Sequence, residues 1–192
     1  MGTGKIELEL AEKLAMSVIN HIKPAMNRSE VAGSIRRKKD VVGDIEIVGL
    51  PGDRIRLIEL LSDVGQHIKP GVTDIIPWQP KIDAKYMRVR LQEGINLDVF
   101  LAVPENFGGI YLMRTGSATG ADGNAFSGFV PSMFGRWKKL SGGGRMTDCR
   151  PTLTTGEQLV LKEEQDFFDL LKMKFVPPQE RVSKSVIKKY EI

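Results

Sequence analysis

An α+β chain, with a mixed sheet flanked by helices and a smaller α+β region behind it, is what three features of this sequence predict. The first is a helix-period apolar series near the N-terminus. The second is a set of alternating, strand-like stretches between Val31 and Leu101. The third is a return to helical spacing, with short strand signals, from Pro104 onward. At 192 residues the chain can bury well over half of its unfolded surface, so neither a disulfide nor a structural metal is needed to hold a core.

Composition narrows the class further. Cys149 is the only cysteine, which rules out a disulfide framework within the chain and a Cys-rich zinc site. The first residues are charged, and nowhere do eighteen apolar residues follow one another. A soluble protein, cytoplasmic or otherwise intracellular and without a membrane role, is therefore expected. Net charge is +4, but the basic residues cluster at Arg36 to Lys39, Lys81 to Arg90, Arg136 to Lys139 and Arg181 to Lys189, a pattern that favours a polyanionic partner.

Taken in order, Ile6 to Ile22 carries Leu10, Leu14, Val18 and Ile22 at four-residue steps, with Ala11, Ala15 and Ile19 beside them, and stops before Pro24, which predicts an amphipathic helix. Leu50 to Asp53 is a turn whose aspartate caps a helix over Arg54 to Ser62, with Ile55, Ile58, Leu60 and Leu61 buried. His67 to Gly71 reads as a short strand and Val72 to Pro80 as an irregular stretch. Lys85 to Gln92 and Ile95 to Leu101 form a hairpin about Glu93-Gly94. Pro104 to Met113 reads as a helix, as does Phe126 to Leu140, broken or delayed by Pro131. Ser141 to Gly144 is expected to be the most flexible point and an internal boundary. Met146 to Leu153, holding Cys149 as a small core residue, and Gln158 to Leu161 read as strands, and Glu163 to Leu171 as a helix. The basic tail after Pro177-Pro178 is expected to dock only in part. His21 and His67 have no ligand-like neighbours in sequence and read as structural.

The organising stretch is Val31 to Val48, which reads as strand, tight turn, short basic helix, loop and strand. Gly33 and Ser34 fall where the first strand ends, so backbone N–H groups there can face an anion with no bulky side chain in the way. Past Gly43, the run Asp44-Ile45-Glu46-Ile47 alternates acid and aliphatic. In a strand both carboxylates then share one face, about 7 Å apart, an arrangement that is costly unless divalent cations bind there. Asp98 is a third acid, inside an otherwise apolar strand, and is either a paired core residue or a third ligand. Arg36 to Lys39 taken alone would be a solvated helix face, but Arg37 lies one turn past Ser34, where a guanidinium can hold phosphate oxygens.

With these residues in view, the chain resembles the nucleotidyltransferase palm of the family X DNA polymerases, the DNA polymerase beta group. The resemblance rests on Gly33-Ser34, Arg36-Arg37, Gly43-Asp44-Ile45-Glu46, Asp98 in Asn96-Leu97-Asp98-Val99, Thr115-Gly116-Ser117, and the Glu164 to Leu171 and Pro177 to Arg181 segments. It runs from about Ile6 to Arg181, and it implies a palm over residues 1–104 and a nucleotide- and DNA-contacting subdomain over 105–192. It further implies a DNA-directed DNA polymerase, engaged in gap filling and repair, that transfers a nucleotide from a nucleoside triphosphate to a 3′-hydroxyl of primer-template or gapped DNA, as a monomer. Asp44, Glu46 and Asp98 would be its catalytic and metal-binding acids for two Mg²⁺, with Mn²⁺ a possible substitute. Gly33, Ser34, Arg37, Gly43, Thr115, Gly116, Ser117 and Asn124 would bind the nucleotide.

The departures carry their own expectations. Glu46 stands where the family has aspartate, which moves the charge outward by one methylene. Met113-Arg114 replaces an aromatic pair that packs against the sugar, Asn96 replaces a basic residue, and Gly120 to Gly123 reads as an insertion before Asn124. The resemblance starts at the palm and so carries no expectation of deoxyribose phosphate lyase activity. Two other readings stay open: a template-independent transferase acting on RNA, protein or a small molecule, and a nucleic-acid-binding module with weakened catalysis.

Overall fold

The computed structural model of the chain describes residues 4–71, 75–120 and 122–192. Val72 to Asp74 of the expected irregular stretch, and Ala121 of the expected insertion, lie outside the described residues. The chain forms two compact units that divide between Ala102 and Val103. Among the described residues no helix is long and apolar enough to cross a membrane.

In the first unit β1 (Ile6–Glu7) leads into α1 (Leu8–Ile22), and β2 (Met26–Val31), the single turn α2 (Gly33–Arg36), β3 (Val41–Val42) and β4 (Asp44–Pro51) follow. Then come α3 (Arg54–Val64), β5 (Gly65–His67), β6 (Tyr86–Leu91) and β7 (Asn96–Leu101). β1 pairs with β3, and the remaining five strands make one sheet in the order β2-β4-β7-β6-β5. Among the described residues only the β4–β7 pair of this sheet is parallel.

Alternation sorts the two sheet faces. Ile45 and Ile47 lie beside Leu97 and Val99, which lie beside Val89 and Met87, and all six are fully buried in one core with α1 and α3. Burying such a side chain is worth about 1.5–3 kcal/mol, so this face pins the register of the central strands. The opposite face carries Asp44, Glu46, Asn96, Asp98, Arg88 and Arg90. Both long helices of this unit therefore serve one face of the sheet, and the charged face is the other.

The helices differ from the expected stripes for a geometric reason. α1 buries Ala11, Ala15, Val18 and Ile22, while Leu10 is exposed. Each four-residue step overshoots a full turn by about 40°, so Leu10 lies about 120° round the helix from Ile22, and the alanines let α1 approach closely instead. In α3 the inward residues are Leu57, Leu60 and Leu61. Ile55 is exposed, because it lies about 200° from Leu57. Asp53 caps α3 as expected, accepting from the Arg56 N–H at 2.9 Å. The short strand expected at His67 to Gly71 is instead Gly65–His67, where the antiparallel partner Leu91 to Val89 is available.

The second unit holds α4 (Phe107–Thr115), α5 (Phe129–Leu140), β8 (Arg145–Thr147), β9 (Arg150–Thr152), α6 (Glu164–Leu170) and α7 (Ile187–Tyr190). Leu112, Phe129, Met133, Trp137, Leu161, Phe167, Phe168 and Leu171 are among its buried core. The helix expected from Pro104 starts three residues later, because Asn106 Oδ1 accepts from the Val103 N–H and closes a turn first. Pro131 falls in the first turn of α5, where its missing N–H costs nothing.

Ser141 to Gly144 is no boundary. Ser141 Oγ accepts from the Gly144 N–H at 2.9 Å and donates to the Trp137 carbonyl at 2.7 Å, so the turn is tied to α5 inside the second unit. The long strand expected over Met146 to Leu153 folds back on itself at Asp148 and Cys149, both at positive φ, so Cys149 is a half-buried turn residue. The basic tail is docked: Ile187 is buried, Lys189 and Tyr190 bond to Glu180, and Arg136 pairs with Glu191. Arg181 is fully buried with Glu164, as an ion pair of the core.

Candidate active site

The first group of expected site residues lies on the charged sheet face of the first unit. β4 and β7 run parallel with Asp44 opposite Asn96 and Glu46 opposite Asp98, so the three acids occupy one face of two adjacent strands. At Gly33 the backbone has φ +63°, and a Cβ there would fall 2.0 Å from Glu46 Oε2. The left-handed conformation favours glycine, and without a Cβ the Glu46 carboxylate can lie against the turn. Ser34 follows in α2, and its Oγ is buried with no hydrogen-bond partner among the described residues. α2 is a single turn, so any anion seat there depends on local N–H and hydroxyl groups rather than on a helix dipole. Gly43 precedes β4, and no atom comes within 4 Å of where its Cβ would be.

Acids and arginines act on one another across this face. Burial raises the Asp44 pKa, the nearby Asp98 charge raises it further, and Arg88 and Arg37 pull it back. Burial lowers the Arg37 pKa, while Glu46 and Asp44 oppose that shift. Arg37 is thus an electrostatic neighbour of both β4 acids. Arg36 points elsewhere and lines a groove with Glu12, Met16 and Lys38. If the site binds a triphosphate, Arg37→Ala is expected to cost about 1.5–3 kcal/mol of affinity, with Arg36→Ala near wild type. Nucleotide titrations of the two variants check this, and the opposite ranking would mean the helical turn presents its other side.

Asp98 is a paired residue. Arg88 Nε donates to Oδ1 and Nη2 to Oδ2, both at 2.6 Å, and the Tyr86 hydroxyl donates to Oδ1 at 2.7 Å. The carboxylate side chain is 4% exposed and that of Arg88 21%. The hydrogen bonds to Asp98 raise the Arg88 pKa above the ordinary arginine range, and burial pushes the Tyr86 hydroxyl up as well. Tyr86 is itself braced by Phe100, with ring centroids 4.8 Å apart and planes 7° from parallel. Asn96 accepts from Arg90 on the same face. Arg88 and Tyr86 are the site residues the sequence reading missed. Their signal was present: a hairpin closing at Glu93-Gly94 sets Arg88 opposite Asp98 and Tyr86 opposite Phe100.

Asp44 and Glu46 offer hard oxygen ligands on one strand face, and the crowding of Asp44 by Asp98 is the kind of repulsion a cation relieves, so these residues fit the divalent cations expected of them. Asp98 as placed is a partner of Arg88 and Tyr86. Among the described residues no three metal-ligating side chains are gathered on one point.

The second group lies in the second unit. Thr115 ends α4 and is fully buried. A Cβ at Gly116 would fall 2.7 Å from both Phe129 and Val130 side chains, so the loop is packed to contact there. The Ser117 N–H donates to the Arg181 carbonyl at 2.9 Å, while Oγ donates to the Val182 carbonyl at 2.8 Å and accepts from the Phe129 N–H. Asn124 Oδ1 caps the turn at Ala125–Ser127 by accepting from the Phe126 N–H at 2.8 Å. Met113 lines a groove of about 670 Å³ with Phe134, Lys138, Arg145 and Met146. Compared with models of known protein families and with the curated proteins, the chain has no match.

Proposed function

We propose that the chain is a nucleotidyltransferase of the DNA polymerase beta type, a DNA-directed polymerase of family X that extends a 3′-hydroxyl in gap filling and repair. The observation that carries this reading is the set of three acids on one face of two adjacent parallel strands, with the Gly33-Ser34 turn against the middle one. Asp44 and Glu46 would hold Mg²⁺, or Mn²⁺ in its place, and the bound ions would supply the charge that stabilises the transferring phosphoryl group and lowers the pKa of the attacking hydroxyl.

The chain's own groups do the positioning. Arg37 offers a two-pronged contact to phosphate oxygens, and the orphaned Ser34 hydroxyl can donate to another. The open Gly43 backbone lets a phosphate approach. Such donors stabilise the pyrophosphate as its charge grows. In the second unit Thr115, Gly116 and Ser117 form a packed loop whose buried threonine and internally bonded serine would support a nucleotide contact rather than make it, with the exposed Asn124 beyond it. Nucleic acid backbone would be tracked by the exposed cations Lys138, Lys139, Arg145, Lys184 and Lys188. Arg136 and Arg181 are spent internally and are no part of that surface.

Primer extension on gapped, nicked and single-stranded DNA, with each dNTP and NTP and with Mg²⁺ or Mn²⁺, tests the reading. Templated addition to gapped DNA is expected, and no metal-dependent pyrophosphate release on any substrate would overturn it. The pairing of Asp98 with Arg88 favours a second reading, a nucleic-acid-binding module of weakened catalysis, which the same assay excludes if turnover is seen.

One expectation concerns the sugar. Methionine can move aside where a rigid ring cannot, and a pocket that merely excludes one hydroxyl discriminates weakly. Met113→Tyr is expected to increase the preference for dNTP over NTP, read as the ratio of kcat/KM values. A strong preference that the substitution leaves unchanged would assign the gate to another group.

A further inference from the structure

Arg88 sits opposite Asp98 in the β6–β7 register and grips both carboxylate oxygens in a two-pronged contact. We propose that Arg88 is a positioning residue that occupies the place of a cation at Asp98, so that the third acid reaches the metal site only when the guanidinium is displaced. The inference rests on the reading of Asp44, Glu46 and Asp98 as the acids of a nucleotidyl-transfer site.

Three observations carry it. Oδ1 accepts from both Arg88 and Tyr86, which uses its lone pairs, and Oδ2 accepts from the second guanidinium nitrogen. A divalent ion at either oxygen would meet a guanidinium that stays charged at every working pH. The two cations repel, so they exclude one another.

Asp98 cannot be the partner that moves. Its side chain is 4% exposed on a central strand paired on both sides, whereas Arg88 is 21% exposed and has a long, flexible stem. Displacement therefore means Arg88 swinging outward while Tyr86, stacked on Phe100, keeps Oδ1 oriented.

A purely structural pair would neutralise a buried acid and nothing more. Here the acid is the register neighbour of Glu46, and its charge reaches Asp44. An uncovered Asp98 would complete a three-carboxylate face.

Mn²⁺ binding without nucleotide tests this, by calorimetry and by the electron paramagnetic resonance signal of free Mn²⁺. Arg88→Gln removes the charge and keeps a polar side chain; it is expected to bind Mn²⁺ at least about tenfold more tightly than wild type. Arg88→Lys keeps the charge and should stay within about threefold. Adding Asp98→Asn to Arg88→Gln should cancel the gain. Equal Mn²⁺ affinity in folded wild type and Arg88→Gln overturns the proposal.

If Arg88→Gln does not fold, the wild type decides. Its Arg88 Nε–H resonance, identified by its loss in Arg88→Lys, should move toward that of a free arginine as Mg²⁺ and a non-hydrolysable triphosphate are added; an unmoved resonance at saturation overturns the proposal. The two readings fail separately. Tighter Mn²⁺ binding with no transfer by any variant keeps the clamp and removes the polymerase reading. Transfer by wild type with unchanged Mn²⁺ affinity in Arg88→Gln does the reverse.

Discussion

Arg181→Met is expected to destabilise the second unit by about 3–5 kcal/mol, the range for breaking one side of a buried ion pair. Arg181 is fully buried; its Nη1 and Nη2 reach the two Glu164 oxygens at 2.5 and 3.3 Å, and its Nε donates to the Val176 carbonyl at 2.9 Å. The guanidinium also lies 5.3 and 4.9 Å from the ring centres of Phe168 and Phe175. Methionine fills much of the volume between the rings but leaves the Glu164 carboxylate buried without its counter-charge. The double change Arg181→Met with Glu164→Leu removes both charges and should recover most of the loss. Urea unfolding of the three proteins decides between these outcomes. A loss under about 1 kcal/mol in the single variant would mean that water reaches Glu164 in the folded protein. Because the Arg181 and Val182 carbonyls accept from Ser117, the same variant should loosen the Thr115 to Ser117 loop and raise its amide hydrogen exchange.

On the proposed reading as a nucleotidyltransferase, Asp98→Asn is expected to lower nucleotidyl transfer by at least about 10³-fold, or about 4 kcal/mol of barrier. Triphosphate affinity should change by no more than about threefold, since Asp44, Glu46 and Arg37 are untouched. Asparagine is the informative replacement. Its oxygen can still accept from Tyr86 and Arg88 Nε, which alanine cannot offer, although both replacements remove the carboxylate that neutralises Arg88. Single-turnover extension gives the rate and nucleotide titration gives the affinity. Turnover within tenfold of wild type removes Asp98 from the chemistry and leaves it as the structural partner of Arg88. Glu46→Asp, by contrast, shortens an acid and keeps its charge, so activity should persist with an altered ratio of Mg²⁺ to Mn²⁺ rates.

Local pattern carried much of this. The alternation Asp44-Ile45-Glu46-Ile47 dictates which side chains enter the core, because a strand has period two and burying the isoleucines leaves the acids no other face. Asp53 ahead of an apolar run sets a helix start, and Glu93-Gly94 a hairpin, since both depend on a few neighbouring backbone groups. Gly33 in the sequence indicates a close backbone approach. What approaches it is the Glu46 carboxylate, thirteen residues on, which no local rule contains.

The choices left to the tertiary structure were those between two partners of similar chemistry. In the sequence Asp98 is an acid with two readings, and only the ladder register sets Arg88 and Tyr86 against it. Arg136 and Arg181 belong to basic clusters in the sequence, and only packing pairs the first with Glu191 and buries the second with Glu164. Leu10 and Ala11 are both apolar on the same helix, and only the approach of α1 to the sheet decided that the smaller is buried. Period, turn chemistry and strand alternation are properties of adjacent residues and can be read along the chain. Which charge answers which, and which of two apolar neighbours is covered, depends on groups brought together from distant positions, and those energies exist only once the chain has folded.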